Sequence, residues 1–310
     1  MEILKIKTNG LNNSITKFLF KGIFLLTLLS GNKAKADNTM CYDPNNVGSV
    51  GDAGTICANM LIVDRNLLDD GINDGATGTD NSTFKITKTS NNSELFDQEI
   101  LNGTTYNFKD KVFTGQVTDF SNLFNNKQSF NAPIGNWDTS NATKMNGMFL
   151  KAKKFDQDIS NWNVAKVTNM NSMFRTAADF NQDISSWDVS SVTTMSGMFQ
   201  NAYDFDQGLN AWGTKTGNVT NMMNMFRSAK SFNKHLGNWE VSNVTNMKNM
   251  FHSAESFNKT LNNWNTAKVE SMQNMFRDAT SFNNGTKNKL DFDVTNVKDF
   301  RGMFRNAVAF

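Results

Sequence analysis

The six tryptophans of this chain recur at a nearly constant spacing. The intervals between successive tryptophans are 25, 25, 25, 27 and 25 residues. A fixed period of roughly 20–50 residues is typical of stacked repeat arrays, in which each unit covers the apolar face of the next. The spacing therefore predicts a repeat solenoid. The tryptophans are Trp137, Trp162, Trp187, Trp212, Trp239 and Trp264.

Alignment on a recurring Met-Phe pair extends the array to eight units. Two extra residues within 213–218 explain the interval of 27. Three extra residues around 285–289 lengthen the interval between the last two units, and in the final unit Phe292 replaces the tryptophan. The phenylalanines of the pair are Phe124, Phe149, Phe174, Phe199, Phe226, Phe251, Phe276 and Phe304.

Two hydrophobic patterns alternate within each unit. Val-x-x-Val-Thr-x-Met is β-branched and alternating, which favours a short strand. Met-Phe-x-x-Ala-x-x-Phe has a spacing that favours a short helix. The Asn or Asp that follows the last Phe is expected to bond its own backbone and form a turn. The sequence thus predicts an α/β repeat solenoid, leucine-rich-repeat-like, of about eight 25-residue coils, each with a short strand and a short helix.

The run Trp187–Phe199, Trp-Asp-Val-Ser-Ser-Val-Thr-Thr-Met-Ser-Gly-Met-Phe, is followed by Ala202, and the preceding unit carries Phe-Asn-Gln-Asp-Ile at 180–184. These motifs resemble the BspA-like leucine-rich-repeat surface proteins of bacteria, a group that includes mycoplasma-type surface repeats. The resemblance covers roughly residues 112–310. It implies a cell-surface protein with a leucine-rich-repeat-like fold and a role in adhesion, and it carries over no catalytic residues.

The N-terminus has the pattern of a secretion signal. Lysines precede the apolar run 23–29, and Ala34 and Ala36 supply small residues for cleavage before Asp37. An uncleaved membrane anchor is the alternative, although the run is far shorter than the ~20 residues that a spanning helix needs. We expect a signal peptide at 1–36, an N-terminal region or cap at 37–108, the repeat array at 109–310, and no transmembrane helix in the mature chain.

Cys41 and Cys57 are the only two cysteines, and both lie just past the expected signal. In an exported chain, an isolated pair of this kind favours one disulfide that closes a short loop. Two free thiols are the alternative.

Composition argues against several functional classes. The formal net charge of +2 gives no reason to expect nucleic acid as a partner. The chain has two histidines, at non-equivalent positions of the repeat, and no nucleophile elbow or phosphate-binding loop. The acidic stretch 69–75 does not fit the spacing of a calcium loop. We therefore predict no enzyme activity, no catalytic residues, no cofactor and no metal site.

Three recurring columns are candidates for binding. The tryptophans could form an exposed strip for sugars or fill the core, and the methionines could bind soft metals or pack internally; packing is favoured for both. The position after Met-Phe carries a stripe of basic residues. The stripe could bind an anionic ligand, or it could be a solvated face with acids interspersed. The stripe consists of Arg175, Arg227, His252, Arg277 and Arg305.

These features predict a secreted or cell-surface protein whose solenoid binds an extracellular protein or glycan partner, in an adhesion-type role. The alternative is a structural spacer or envelope component without its own ligand. The last unit stops at Phe310 without a polar terminator, so we expect the array either to continue or to pair with another molecule.

Overall fold

The computed structural model of the chain describes residues 61–62, 83–85, 105–107, 112–285 and 289–310. Its regular strands are Leu61–Ile62 (β1), Thr83–Lys85 (β2), Thr105–Asn107 (β3) and Val112–Phe113 (β4). Strand β1 pairs in parallel with β4, and β2 pairs antiparallel with β3. The only 3₁₀ helix among the described residues, Asn210–Thr216, is interrupted at Gly213, where φ is 43° and ψ is −126°.

From β4 onward, equivalent residues of successive repeats lie side by side. Seven isolated parallel bridges join one position of each repeat to the same position of the next, beginning at Asp119–Lys144 and ending at Ser271–Asp299. We number the repeats 1 to 8, as residues 112–136, 137–161, 162–186, 187–211, 212–238, 239–263, 264–291 and 292–310. The expected strand of each repeat is thus reduced to a single bridged residue.

The segment after each bridge is held by backbone hydrogen bonds of two kinds. The Leu150 N–H donates to Gly147 within the same repeat at 3.0 Å, whereas the neighbouring Phe149 N–H donates to the Met173 carbonyl of the next repeat at 2.9 Å. This alternation recurs along the array, so every second N–H ties one repeat to the following one. Half of the donors that would form a helix ladder are therefore committed to the neighbouring repeat.

These hydrogen bonds between repeats explain why the expected short helix is absent from the repeats that the structure describes. In each repeat, two residues four positions apart have left-handed backbone angles; in repeat 6 these are Asn249 (φ 54°) and Ser253 (φ 56°). A left-handed residue cannot continue a right-handed helix. The same apolar spacing instead forms a series of tight turns that keeps Met, Phe and Ala pointing inward.

The core is a stack of identical side chains. Phe149 lies 5.5 Å from Phe174, with ring planes 6° apart, and 3.8 Å from Phe155 of its own repeat. The inward-facing methionines of repeats 2–7 are fully buried, as Met145 and Met148 illustrate. Burial of apolar area between repeats is the main source of stability in arrays of this type.

The tryptophans belong to this core. Their exposed fractions lie between 0% and 4%. Each indole from Trp162 onward donates a hydrogen bond to the carbonyl of an Ile or Leu 28 or 30 residues earlier in the chain, as Trp212 does to Ile184 at 3.1 Å. The prediction that tryptophan packs internally is confirmed, and the exposed aromatic strip is excluded.

The Asn or Asp after the second phenylalanine plays a different role from the one expected. Its side-chain oxygen accepts the backbone N–H of the equivalent residue in the next repeat: Asn181 accepts from Asp206 at 2.9 Å, and Asp206 accepts from Asn233 at 2.8 Å. The expected local turn is therefore wrong, because the bond partner lies one repeat away. This column is a side-chain ladder that fixes the register of the stack.

Candidate functional site

The predicted basic stripe is divided in the structure. Arg175 is exposed in repeat 3, but the equivalent residue of repeat 4, Gln200, is 7% exposed and carries no charge. Arg227, His252 and Arg277 then follow in three consecutive repeats, with Arg305 exposed in the last. The structure therefore places four of the five predicted residues in consecutive repeats, 5 to 8, and leaves Arg175 apart from them.

His252 lies between Arg227 and Arg277 in the array, and its side chain is 15% exposed, against 33% for Arg277. Its Nε2 lies 3.2 Å from Oδ2 of Asp278, while Nδ1 is buried and has no hydrogen-bond partner. Burial lowers the pKa of the imidazole, and the neighbouring Arg227 and Arg277 act in the same direction, against the opposing effect of Asp278. The neutral imidazole, donating through Nε2, is the form that this environment favours.

Asp278 neutralises part of the stripe. Its Oδ2 also lies 3.2 Å from Nε of Arg277, and its Oδ1 accepts from Asn306 at 2.7 Å. The hydrogen bond from Asn306, followed by that from His252, holds the pKa of this carboxyl below its usual range. With a carboxylate inside the cluster, the stripe offers an anion less net positive charge than the sequence indicates.

Two further acids on this face, Asp179 and Glu255, pair with lysines. Asp179 lies 2.9 Å from Lys154, and Glu255 lies 2.9 Å from Lys230. Both pairs join adjacent repeats at exposed positions, where ion pairs contribute little to stability. The face that carries the stripe is therefore a mixed, solvated surface of both charges.

A second surface is more regular than the basic stripe. In repeats 1–6, one threonine per repeat forms a row along the array, and each lies directly before the bridged residue. The backbone N–H of Thr193 donates to the Thr168 carbonyl at 2.9 Å, and its Oγ1 donates to the same oxygen at 3.1 Å. The threonine ladder consists of Thr118, Thr143, Thr168, Thr193, Thr220 and Thr245.

A second polar column runs beside the threonine ladder. It lies two positions earlier in each repeat, and its side chains also bond backward: Asn218 Nδ2 donates to Ser190 at 2.7 Å, and Asn243 Nδ2 donates to Gly217 at 2.8 Å. The asparagine column consists of Asn141, Lys166, Ser191, Asn218, Asn243, Lys268 and Asn296.

A buried valine, or Ala142 in repeat 2, lies between the two columns in repeats 2–7. Near the C-terminal end, a shallow cavity of about 250 Å³ is lined by Thr245, Lys268, Glu270, Asn296 and Lys298. In repeats 7 and 8 the threonine is replaced by Glu270 and Lys298, which pair at 3.0 Å.

Sequence reasoning treated this threonine only as part of a strand pattern. The signal that could have identified it is its position, because an outward-facing residue that stays the same in six repeats is not explained by the core. The predicted signal peptide, the Cys41–Cys57 pair and the acidic stretch 69–75 lie outside the described residues.

Within the described ranges, no group of three or more His, Cys, Asp or Glu side chains is placed to share a metal ion. No helix among the described residues is long and apolar enough to cross a bilayer.

The geometry defines a repeat protein whose recurring surface residues are polar. Comparison with protein families gives the matching class: residues 85–212 and 212–310 each match the family described as "Mycoplasma protein of unknown function, DUF285". The two matches together cover most of the chain, and the chain belongs to this family of repeat-containing proteins. A comparison with curated proteins finds no match.

Proposed function

We propose that this protein is an exported member of the family, displayed at the cell surface or secreted, whose BspA-like, leucine-rich-repeat-type solenoid binds an extracellular protein or glycan. The role is adhesive and not enzymatic. The observation that carries the proposal is the separation of the repeat into two sets of columns: apolar ones that are completely buried and polar ones that lie in register along the surface.

The apolar columns form the core. Met195, Phe199 and Ala202 of repeat 4 are 0% exposed, and the Phe199 ring stacks on Phe174 and Phe226 of the repeats on either side. The outward-facing threonine is not needed for this packing, yet it recurs in six repeats. Extended repeat surfaces of this kind are well suited to large partners, because one ligand can contact many repeats at once.

A spacer without a ligand is the competing function. The uninterrupted phenylalanine stack from Phe124 to Phe304 would suit it, since each repeat is supported by its neighbours and the array resists bending between them. The two functions predict different binding behaviour. A binding protein should bind its partner saturably, and a spacer should not.

The experiment has two arms. An epitope-tagged chain is expressed in mycoplasma cells and detected by antibody before and after permeabilisation. The purified chain is then titrated onto fixed host cells, with a variant of unrelated surface, Lys230→Gln with Glu255→Gln, as the matched control. We expect labelling of intact cells and saturable binding by both proteins. Labelling only after permeabilisation would contradict the surface location, and surface labelling with non-saturable binding would establish the spacer instead.

A further inference from the structure

We propose that the threonine ladder and the asparagine column beside it form a binding site for a linear, uncharged glycan. This inference rests on the proposed function and specifies its ligand. The site is the surface formed by the two columns in repeats 3–6, and it is distinct from the basic stripe.

The ladder is organised before any ligand arrives. From Thr143 onward, the backbone and the side chain of each threonine donate to the carbonyl of the preceding threonine; for Thr168 the two distances to Thr143 are 2.9 Å and 3.3 Å. Thr220 bonds Thr193 in the same way, at 2.9 Å and 3.2 Å. The side chains therefore share one rotamer, and a ligand does not have to immobilise them on binding.

The hydrogen-bonding capacity that remains specifies the chemistry of the ligand. A threonine hydroxyl has one donor and two acceptor sites. Because the donor is committed to the preceding carbonyl, the ladder presents acceptor oxygens to the solvent. The amide of Asn218 likewise donates backward, to the Ser190 carbonyl at 2.7 Å, so this donor is also committed. The partner must therefore supply many hydroxyl or amide donors, as sugar rings do.

The charge of the surface favours a neutral ligand. From repeat 2 to repeat 6, Lys166 is the one charged side chain in the two columns, and its Nζ donates to Asn141 Oδ1 at 2.8 Å. The charged residues of repeats 7 and 8 are Lys268, Glu270 and Lys298, and the last two form an ion pair. An acidic polymer would find few counter-charges along these two columns in repeats 2–6.

The period of the surface distinguishes a glycan from a peptide. Successive threonines repeat at the inter-strand spacing of about 4.8 Å, whereas an extended peptide repeats its donors every two residues, or about 6.8 Å. A peptide would thus lose register after one or two repeats. Sugar rings joined in an extended chain repeat at close to the threonine spacing, and six threonines span about 24 Å, the length of a hexasaccharide.

The test is calorimetric titration of the full chain with two neutral probes, cellohexaose and chitohexaose, and with a heparin hexasaccharide as the acidic comparison. We expect binding of at least one neutral probe, tightening with chain length from two to six sugars. Replacing Thr168→Val, Thr193→Val and Thr220→Val together removes three acceptors and preserves the branched shape, so affinity should fall by about tenfold or more. The corresponding Thr→Ser triple variant should retain binding.

A matched control removes three exposed hydroxyls elsewhere, with Ser231→Ala, Ser256→Ala and Thr280→Val. This variant should bind like the wild type, and circular dichroism should show the same fold for all four proteins. Failure of both neutral probes to bind, binding of heparin alone, or equal affinity of the valine variant would each overturn the proposal. If the chain still binds host cells saturably, the adhesive function stands and only the glycan assignment fails.

Discussion

The indole Nε1 of Trp187 donates a hydrogen bond to the carbonyl oxygen of Ile159, 28 residues earlier in the chain, at 3.2 Å. The same carbonyl accepts the backbone N–H of Trp162 at 3.1 Å. Equivalent bonds from Trp162 and Trp264 reach Ile134 and Leu236, also 28 residues earlier, at 3.1 Å and 2.9 Å. Tryptophan therefore bonds to the chain about one period earlier as well as filling space, which explains why no other aromatic residue replaces it in repeats 2–7.

Replacing Trp187→Phe should remove this bond and part of the ring volume. Since the Ile159 carbonyl keeps one partner, we expect a loss of about 2 kcal/mol in the free energy of unfolding, from the hydrogen bond and the space left behind. Urea denaturation measures this loss of unfolding free energy. The comparison is Tyr203→Phe at an exposed aromatic position, which should change stability by less than about 0.5 kcal/mol. Equal effects would show that the indole bond has no role.

The alanine column should tolerate no enlargement, in contrast to its neighbour in sequence. Ala177 is 0% exposed, whereas Ala178 is half-buried at a position where repeats 2 and 4 carry Lys153 and Tyr203. Ala177→Leu should cost about 3 kcal/mol or prevent folding, because the core has no room for the added atoms. Ala178→Leu should melt within a few degrees of the wild type. Similar melting temperatures for the two variants would argue against close contact of repeats at this column.

The side-chain ladder should be sensitive to the order of its charges. Asp156 and Asp206 are separated by the neutral Asn181, while Asn258 lies between two asparagines, Asn233 and Asn283. Asn181→Asp places three carboxylates on successive repeats and should cost about 1 kcal/mol per neighbouring pair. Asn258→Asp creates no such neighbours and serves as the control.

The destabilisation caused by Asn181→Asp should depend on pH. Adjacent negative charges raise the pKa of the introduced carboxyl above its unfolded value, so the destabilisation of Asn181→Asp is present above the folded pKa and disappears in acid. It should also shrink in high salt. Thermal melts at several pH values, with and without added salt, test both dependences. No guanidinium is used, because it is itself a salt. A deficit independent of both pH and salt would show that repulsion is not its cause.

His252 should make the array less stable below neutral pH. Burial lowers the pKa of His252 in the folded state from its ordinary value of 6.5. The unfolded chain therefore binds the proton more readily, and stability falls as the pH drops below about 6.5. His252→Gln, which copies the buried Gln200 of repeat 4, should abolish this slope, while His235→Gln should keep it. A wild-type slope that survives His252→Gln would contradict the assignment.

Much of the array could be predicted from the sequence, since the period and the buried columns are local patterns. Every recurring Trp, Met and Phe of repeats 2–7 lies in the core, as the spacing indicated. The expected helix could not be ruled out, because an i, i+1, i+4, i+7 spacing suits both a helix and a run of turns. The choice depends on N–H groups such as that of Phe149, whose acceptor lies in the next repeat.

The surfaces were harder to predict, because their chemistry depends on contacts between repeats. Nothing local in the sequence places Asp278 against His252, since the two belong to different repeats and meet only in the final register. The threonine ladder was visible as a recurring residue, yet its fixed rotamer depends on the carbonyl of the preceding repeat. The side-chain oxygen of Asn181 likewise has its acceptor role only in the stack.

Deletion of one whole repeat tests most directly whether the chain is a stack of equivalent units held together by their neighbours. Removing residues 187–211 joins repeat 3 to repeat 5 at equivalent positions, whereas removing 187–198 leaves half a repeat. The readouts are thermal unfolding and iodide quenching of tryptophan fluorescence. We expect the first deletion to unfold cooperatively with its tryptophans still shielded, and the second to lose cooperativity and expose them. Equal disruption by both deletions, or strong quenching in the intact chain, would contradict the stacked structure.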